Sequence, residues 1–253
     1  MKKILSLILA LVLAVFAVCA LAEEAAVEEE EVTEVPLMTY ADYALAEIDA
    51  PVYVETYVQA HQSWWNDKIT VYAQSEDGAY FIYELACSEE DAAKLVPGTK
   101  IAVKGYKSEW SGEVEITDAT FEILEADPWI AEAEDVTALL GTDDLAAHMN
   151  EKIAIKDAEV VAYTADGADI TDEIPFAYGW DNSGNHDANT DLYFKIKVGE
   201  NEYTMTVESY LCGNDTDVYK AVEGLKVGDK IDLEGFLYWY NGANPHITAV
   251  TVK

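Results

Sequence analysis

Leu95-Val-Pro-Gly-Thr-Lys-Ile-Ala-Val-Lys-Gly105 and Leu225-Lys-Val-Gly-Asp-Lys-Ile-Asp-Leu-Glu-Gly235 are one segment written twice. At a constant offset of 130 residues, the Leu, the first shared Gly, the Lys, the Ile and the final Gly are identical. Gly112 and Gly242 continue the offset, and Ile116-Thr117 answers Ile247-Thr248 one residue later in register. A self-similarity this long marks two copies of one structural unit. The copies span 38–127 and 142–253, and an acidic connector, 128–141, joins them.

Working outward, each copy carries the same order of signals. In the first, Val52–Ala60 and Ile69–Gln74 alternate as strands, Asp77-Gly78 is a hairpin turn, and Tyr80–Ala86 returns. Ser88-Glu-Glu-Asp91 opens a short helix that Pro97-Gly98 stops. Lys100–Lys107 and Glu113–Ile123 are two further strands. In the second copy the strands are Ile153–Ala162, Leu192–Val198, Tyr203–Leu211, Lys230–Tyr240 and His246–Val252, with a helix over Thr216–Glu223. A helical lead-in precedes each copy, at Tyr40–Ile48 and Asp143–Met149.

Three strands, a helix and two strands resemble the OB-fold, a five-stranded barrel whose helix joins strands three and four. The expected fold class is therefore all-β with short helices, as two tandem five-stranded OB-fold-like barrels. The chain resembles exported bacterial proteins built from OB-fold repeats and lacking an assigned activity. A pair of SH3-like barrels, which have no helix at that point, is the structural rival.

The first 22 residues read as an export signal: Lys2 and Lys3, an apolar run from Ile4 to Leu21, and small residues at Ala20 and Ala22. Cleavage there predicts a secreted chain with no membrane segment left. The alternatives are an uncleaved anchor and a lipid anchor on Cys19, although Val18 stands where the lipoprotein motif takes Gly, Ala or Ser. Residues 23–37 form an acidic spacer too poor in apolar surface to fold. Beyond the signal only Cys87 and Cys212 remain, at equivalent places in separate copies, which favours thiols over a bridge.

The charge restricts partners. The chain has 15 basic residues, all Lys, against 49 acids, a net charge of -34. With no Arg, no bidentate fork exists for phosphate or base edges. The first copy holds 5 Lys against 18 acids and the second 8 against 21. Such a field repels a polyanion, so nucleic acid is expected to be an improbable partner.

OB-folds bind with the face of strands two and three and the loops flanking it. Candidate ligand residues are therefore aromatic. Trp64 and Trp65 share a polar turn, where both cannot enter the same core. On strand four, Tyr106 and Trp110 in copy one answer Phe236, Tyr238 and Tyr240 in copy two, opposite the core-facing Ile and Leu positions, a row that suits either ligand stacking or packing between the two copies. Glycines 105 and 235 are candidate bulges that would shift this parity. Trp180 sits in the long loop from Tyr163 to Thr190, a length usually tied to function or disorder. That loop also places Asp181, Ser183, Asn185 and Asp187 at alternate positions, a pattern fitting calcium or ordinary turns. No other cofactor is implied.

No metal-ligand spacing among the four His, no Cys-x-x-Cys, no phosphate loop and no nucleophile elbow occurs. The expectation is an exported, non-enzymatic binding module whose barrel-loop aromatics hold a neutral oligosaccharide or a peptide or protein surface. Single-stranded nucleic acid binding is the alternative and a hydrolase the third reading.

Overall fold

Burial alternates along residues 51–58, as the period-two pattern requires, whereas 69–73 and 78–82 are buried on both faces. The computed structural model describes residues 35–253, which form one unit. The expected signal peptide, Cys19 and most of the acidic spacer lie outside the described residues. Strands β1 (Pro51–His61), β2 (Lys68–Ser75), β3 (Gly78–Ala86), β4 (Lys100–Trp110) and β5 (Glu113–Ile123) close in the order β1-β2-β3-β5-β4. The β3–β5 pairing is parallel, through Phe81 and Glu115, and every other pair is antiparallel. Val54, Val71, Ile82, Leu85, Ile101 and Ile116 point inward and fill the barrel.

The second copy repeats this order. It comprises β6 (Glu134–Asp135), β7 (Lys152–Val161), β8 (Phe176–Tyr178), β9 (Leu192–Val198), β10 (Asn201–Val207), β11 (Lys230–Phe236) and β12 (His246–Val252). The β7–β9 pairing closes the ring, and β10–β12 is its parallel pair, at Thr206 and His246. Both copies are thus closed five-stranded barrels. Short β6 and β8, which carry little periodicity, extend the edges of barrel two.

Helices sit where the sequence puts them, with one change of type. α1 (Tyr40–Leu45) opens on a Thr39–Asp42 capping box, α2 (Glu89–Ala92) on Ser88 and α3 (Asp217–Glu223) on Thr216. The lead-in to barrel two is a 3-10 helix, Asp143–His148. Lys107 docks α1: its buried ammonium donates to the carbonyls of Tyr43, Ala44 and Ala46 at 2.8–3.0 Å. A cation at a helix C-terminus also complements the macrodipole.

The repeated glycines have a shared cause. Both strand-four ladders slip register at the glycine, between Lys104 and Tyr106 and between Glu234 and Gly235. A Cβ on Gly105 would stand 2.7 Å from the Thr117 carbonyl oxygen, and one on Gly235 would stand 2.2 Å from that of His246. Each bulge brings two backbones too close for any side chain. β11 then ends at Phe236, four residues earlier than the sequence signal runs.

Barrel two lies against the β2–β3 face of barrel one. Phe236 is 4% exposed and stacks on Tyr72 with ring centres 4.8 Å apart. Tyr238 packs on Phe81 at 5.1 Å and on His246 at 4.3 Å, and the Tyr72 hydroxyl is 2.7 Å from His246 Nδ1. Burial pushes His246 down to about 3, so the imidazole is neutral. Backbone N–H groups of Lys152 and Trp239 donate to Gln74 and Glu113 across the seam, both at 2.8 Å. Cys87 and Cys212 are buried, unpaired thiols.

The seam also buries acids. Desolvation raises Glu113 to about 8, offset by its hydrogen bonds, and Glu115 and Glu208 to about 7. Glu113 Oε1 and Asn150 Oδ1 have no hydrogen-bond partner among the described residues, so a proton on Glu113 sacrifices no acceptor bond.

Two outcomes test this account. Gly235→Ala lowers unfolding free energy by about 1–3 kcal/mol in denaturant titrations, because the added methyl meets backbone; Gly199→Ala, with open space around it but a positive φ, is the comparison. The three acids have native values above the ordinary carboxylate range, so the native state binds extra protons. Their contribution to stability is therefore fully present below about 4.5 and is lost as pH rises, levelling off above about 8, whereas the neutral, buried His246 works in the opposite sense below about 6.5. In Glu113→Gln that decline is shallower at its alkaline end, measured by melting temperature against pH.

Candidate functional site

The ligand face of an OB barrel is the outer side of strands two and three, and the seam decides which copy still offers it. In barrel one the centre of that face, Tyr72 and Phe81, is covered by barrel two. In barrel two the corresponding strands are β9 and β10. Leu192, Phe194 and Ile196 point into the core, so Tyr193, Lys195 and Lys197 alternate outward. Across the ladder they face Thr206, Thr204 and Glu202.

Two aromatic side chains extend this face. Trp110, 54% exposed at the end of β4, lies against Tyr240, 49% exposed, with ring centres 5.2 Å apart at 33°. The two come from equivalent hairpins of the two copies, tied by the Asn241 N–H donating to the Ser111 carbonyl at 2.7 Å. Tyr193 is next: burial pushes its phenol up to about 12, with Asp191, Glu208 and Tyr240 adding to the rise. Tyr163, 6.4 Å from Tyr193, is buried beneath it, and its hydroxyl donates to the carbonyl of the exposed Trp180 at 2.9 Å. The acids beside this row are held by loop backbone. Asp191 accepts from Ser209 N–H, and Glu208 from Tyr210 and Leu211 N–H.

A groove lies elsewhere along the seam. Trp65, Tyr83 and Tyr210 surround a groove of about 360 Å³ whose floor includes Ile69 and Thr70. Ser63 holds the Tyr210 carbonyl from the barrel-one side, with its N–H at 2.8 Å.

The structure divides the sequence candidates. Of the tryptophan pair, Trp64 packs on the barrel-one core and donates its Nε1–H to the Cys87 carbonyl at 2.8 Å, while Trp65 is 79% exposed. Tyr106 is exposed on β4, apart from that groove. Trp110 and Tyr240 pair with each other, and Trp180 is exposed in its loop. Phe236 and Tyr238 do not belong to a ligand surface: they point out of their own barrel, as parity requires, but into barrel one. Asp181 and Asn185 accept hydrogen bonds from the Ser183 and Ala188 N–H groups, at 3.1 and 3.0 Å, as turn-forming side chains do. Among the described residues no group of three His, Cys, Asp or Glu side chains is placed to hold a metal ion. Sequence reasoning missed Tyr193 and Tyr210. Tyr193 was legible as an outward position on β9, whereas Tyr210 gains meaning only from the fold of the loop after β10.

No protein-family model matches the chain, and no curated protein matches it. Solved structures that align with it include the Ifi202 HINa domain in complex with 20-bp dsDNA, at 15% identity and TM-score 0.33, over 81% of this chain and 96% of that one. Another is a murine DNA-binding protein bound with dsDNA, at 12% identity and TM-score 0.34, over 81% and 97%. A third is the p204 HINb domain, at 13% identity and TM-score 0.33, over 79% and 95%. At these values no residue role passes to this chain.

The expected sugar- or protein-surface module, with nucleic acid as an improbable partner, does not stand as read. Part of the aromatic platform that the expectation relied on, Phe236 and Tyr238, is internal to the protein. Net charge sets the far field, which opposes a polyanion but does not by itself exclude bases that stack on an exposed ring.

Proposed function

We propose that the chain is a non-enzymatic binding protein that holds unpaired bases of single-stranded nucleic acid on the β9–β10 face of barrel two. The observation that carries this reading is the exposed ring pair Trp110–Tyr240, beside the half-buried, outward-facing Tyr193 of β9. Bases stack on such side chains regardless of sequence, and each stacked base contributes about 1–3 kcal/mol. Lys195 and Lys197, further along the same strand, supply the positive charge on this face. Lys195 Nζ is 2.8 Å from Thr164 Oγ1, and Lys197 faces Glu202 and Glu159 across its ladders. Phosphate contacts are therefore few. The exported bacterial origin expected from residues 1–22 is part of the same proposal.

This mechanism has an unusual salt signature. Most nucleic-acid complexes weaken steeply with salt because counterions are released from neutralised phosphates. Here affinity comes from stacking while the protein as a whole repels the strand, so screening removes a penalty. Fluorescence anisotropy with a short single-stranded oligothymidine is expected to show binding that holds or strengthens as sodium chloride rises. Tyr193→Ala and Tyr240→Ala each weaken it by about 1–3 kcal/mol. A duplex of equal length, whose bases are already stacked, binds more weakly. Absence of binding at every salt concentration sinks the proposal, and a steep loss with salt replaces stacking by phosphate contact.

A further inference from the structure

The groove elsewhere along the seam has a different character. Its walls are the rings of Trp65, Tyr83 and Tyr210, all three exposed, and none of the three pairs with another aromatic ring among the described residues. Nor does a lysine lie over any of them. The cation–π contacts among the described residues are Lys100 on Tyr57, Lys104 on Tyr53 and Lys107 on Tyr43. The ring faces are therefore free for a ligand. One cation does line the groove, but Lys68 is paired with Glu84 at 2.5 Å.

Charge then selects among ligands. Aromatic faces carry negative potential and attract organic cations, most strongly Trp. The surrounding protein carries a net charge of -34 with no Arg. An anion meets repulsion from the whole molecule, and a neutral ring gains nothing from that field. An ammonium wrapped in methyl groups gains from both, since its methyl groups also contact the apolar lining and it loses little hydration on entry. The three walls come from separate elements: the β1–β2 loop, β3 and the loop after β10. The groove therefore exists only when the two barrels are docked.

We infer that the groove bounded by Trp65, Tyr83 and Tyr210 is a binding site for a quaternary-ammonium headgroup of the choline type. None of these residues lies on β9 or β10, so the site stands or falls separately from the base-binding face.

The test is calorimetric titration of the purified protein with choline chloride at constant ionic strength, beside its neutral isostere 3,3-dimethylbutan-1-ol. Saturable choline binding is expected, with the isostere weaker by about tenfold or more. Trp65→Ala and Tyr210→Ala, both exposed positions, each lose about tenfold while keeping the wild-type melting temperature. Tyr210→Phe retains binding, because the ring and not the hydroxyl is used. Equal binding of the two probes reduces the site to an apolar groove and overturns the inference. So does the absence of choline binding into the millimolar range, or choline binding that survives both alanine substitutions.

Discussion

Tyr72 stacked on Phe236, with its hydroxyl against a neutral, buried His246, is the contact on which the rest of this molecule depends. A charged imidazole there would have no carboxylate partner, and burial removes that state. Around this pair, Phe81, Tyr238 and Leu211 extend a small third core between the two barrel cores. The surface it consumes is the middle of the binding face of barrel one. Barrel one has thereby become support, and barrel two keeps an open face.

The same contact creates both the exposed ring pair and the groove. Hairpins that are equivalent in the two copies meet and bring Trp110 to Tyr240. Elsewhere along the seam, the loop after β10 reaches Ser63 and brings Tyr210 into view of Trp65 and Tyr83. Glu208 holds that loop through two N–H groups, and Glu113 holds Trp239 through another. These carboxylates are nearly buried, so the geometry of both sites is tied to the protonation of groups near the seam.

Charge is spent in a consistent way. Lys107 closes the end of α1, and Lys68, Lys94, Lys100, Lys230 and Lys253 are each committed to a neighbouring acid. Six of the 13 lysines among the described residues are thus taken up by neighbours. Such a surface meets ligands through aromatic faces: its field is a penalty that base stacking must outweigh for a strand, and an attraction for ammonium groups.

The repeat around Gly105 and Gly235, the alternation of the strands and the cap residues Ser88 and Thr216 determined two five-stranded barrels from sequence alone, because register, turns and helix starts are local chemistry. The long loop was visible as a loop, but three-residue β8 within it carries too little period to be seen. Strand parity placed Phe236 and Tyr238 outside their own barrel, and that is where they are. Parity says which side of a strand faces its own core; it cannot say whether the other side meets water or a second barrel. Packing between the copies decided that, and with it which aromatics became core, which became walls of a site, and that Tyr210 belongs with Trp65.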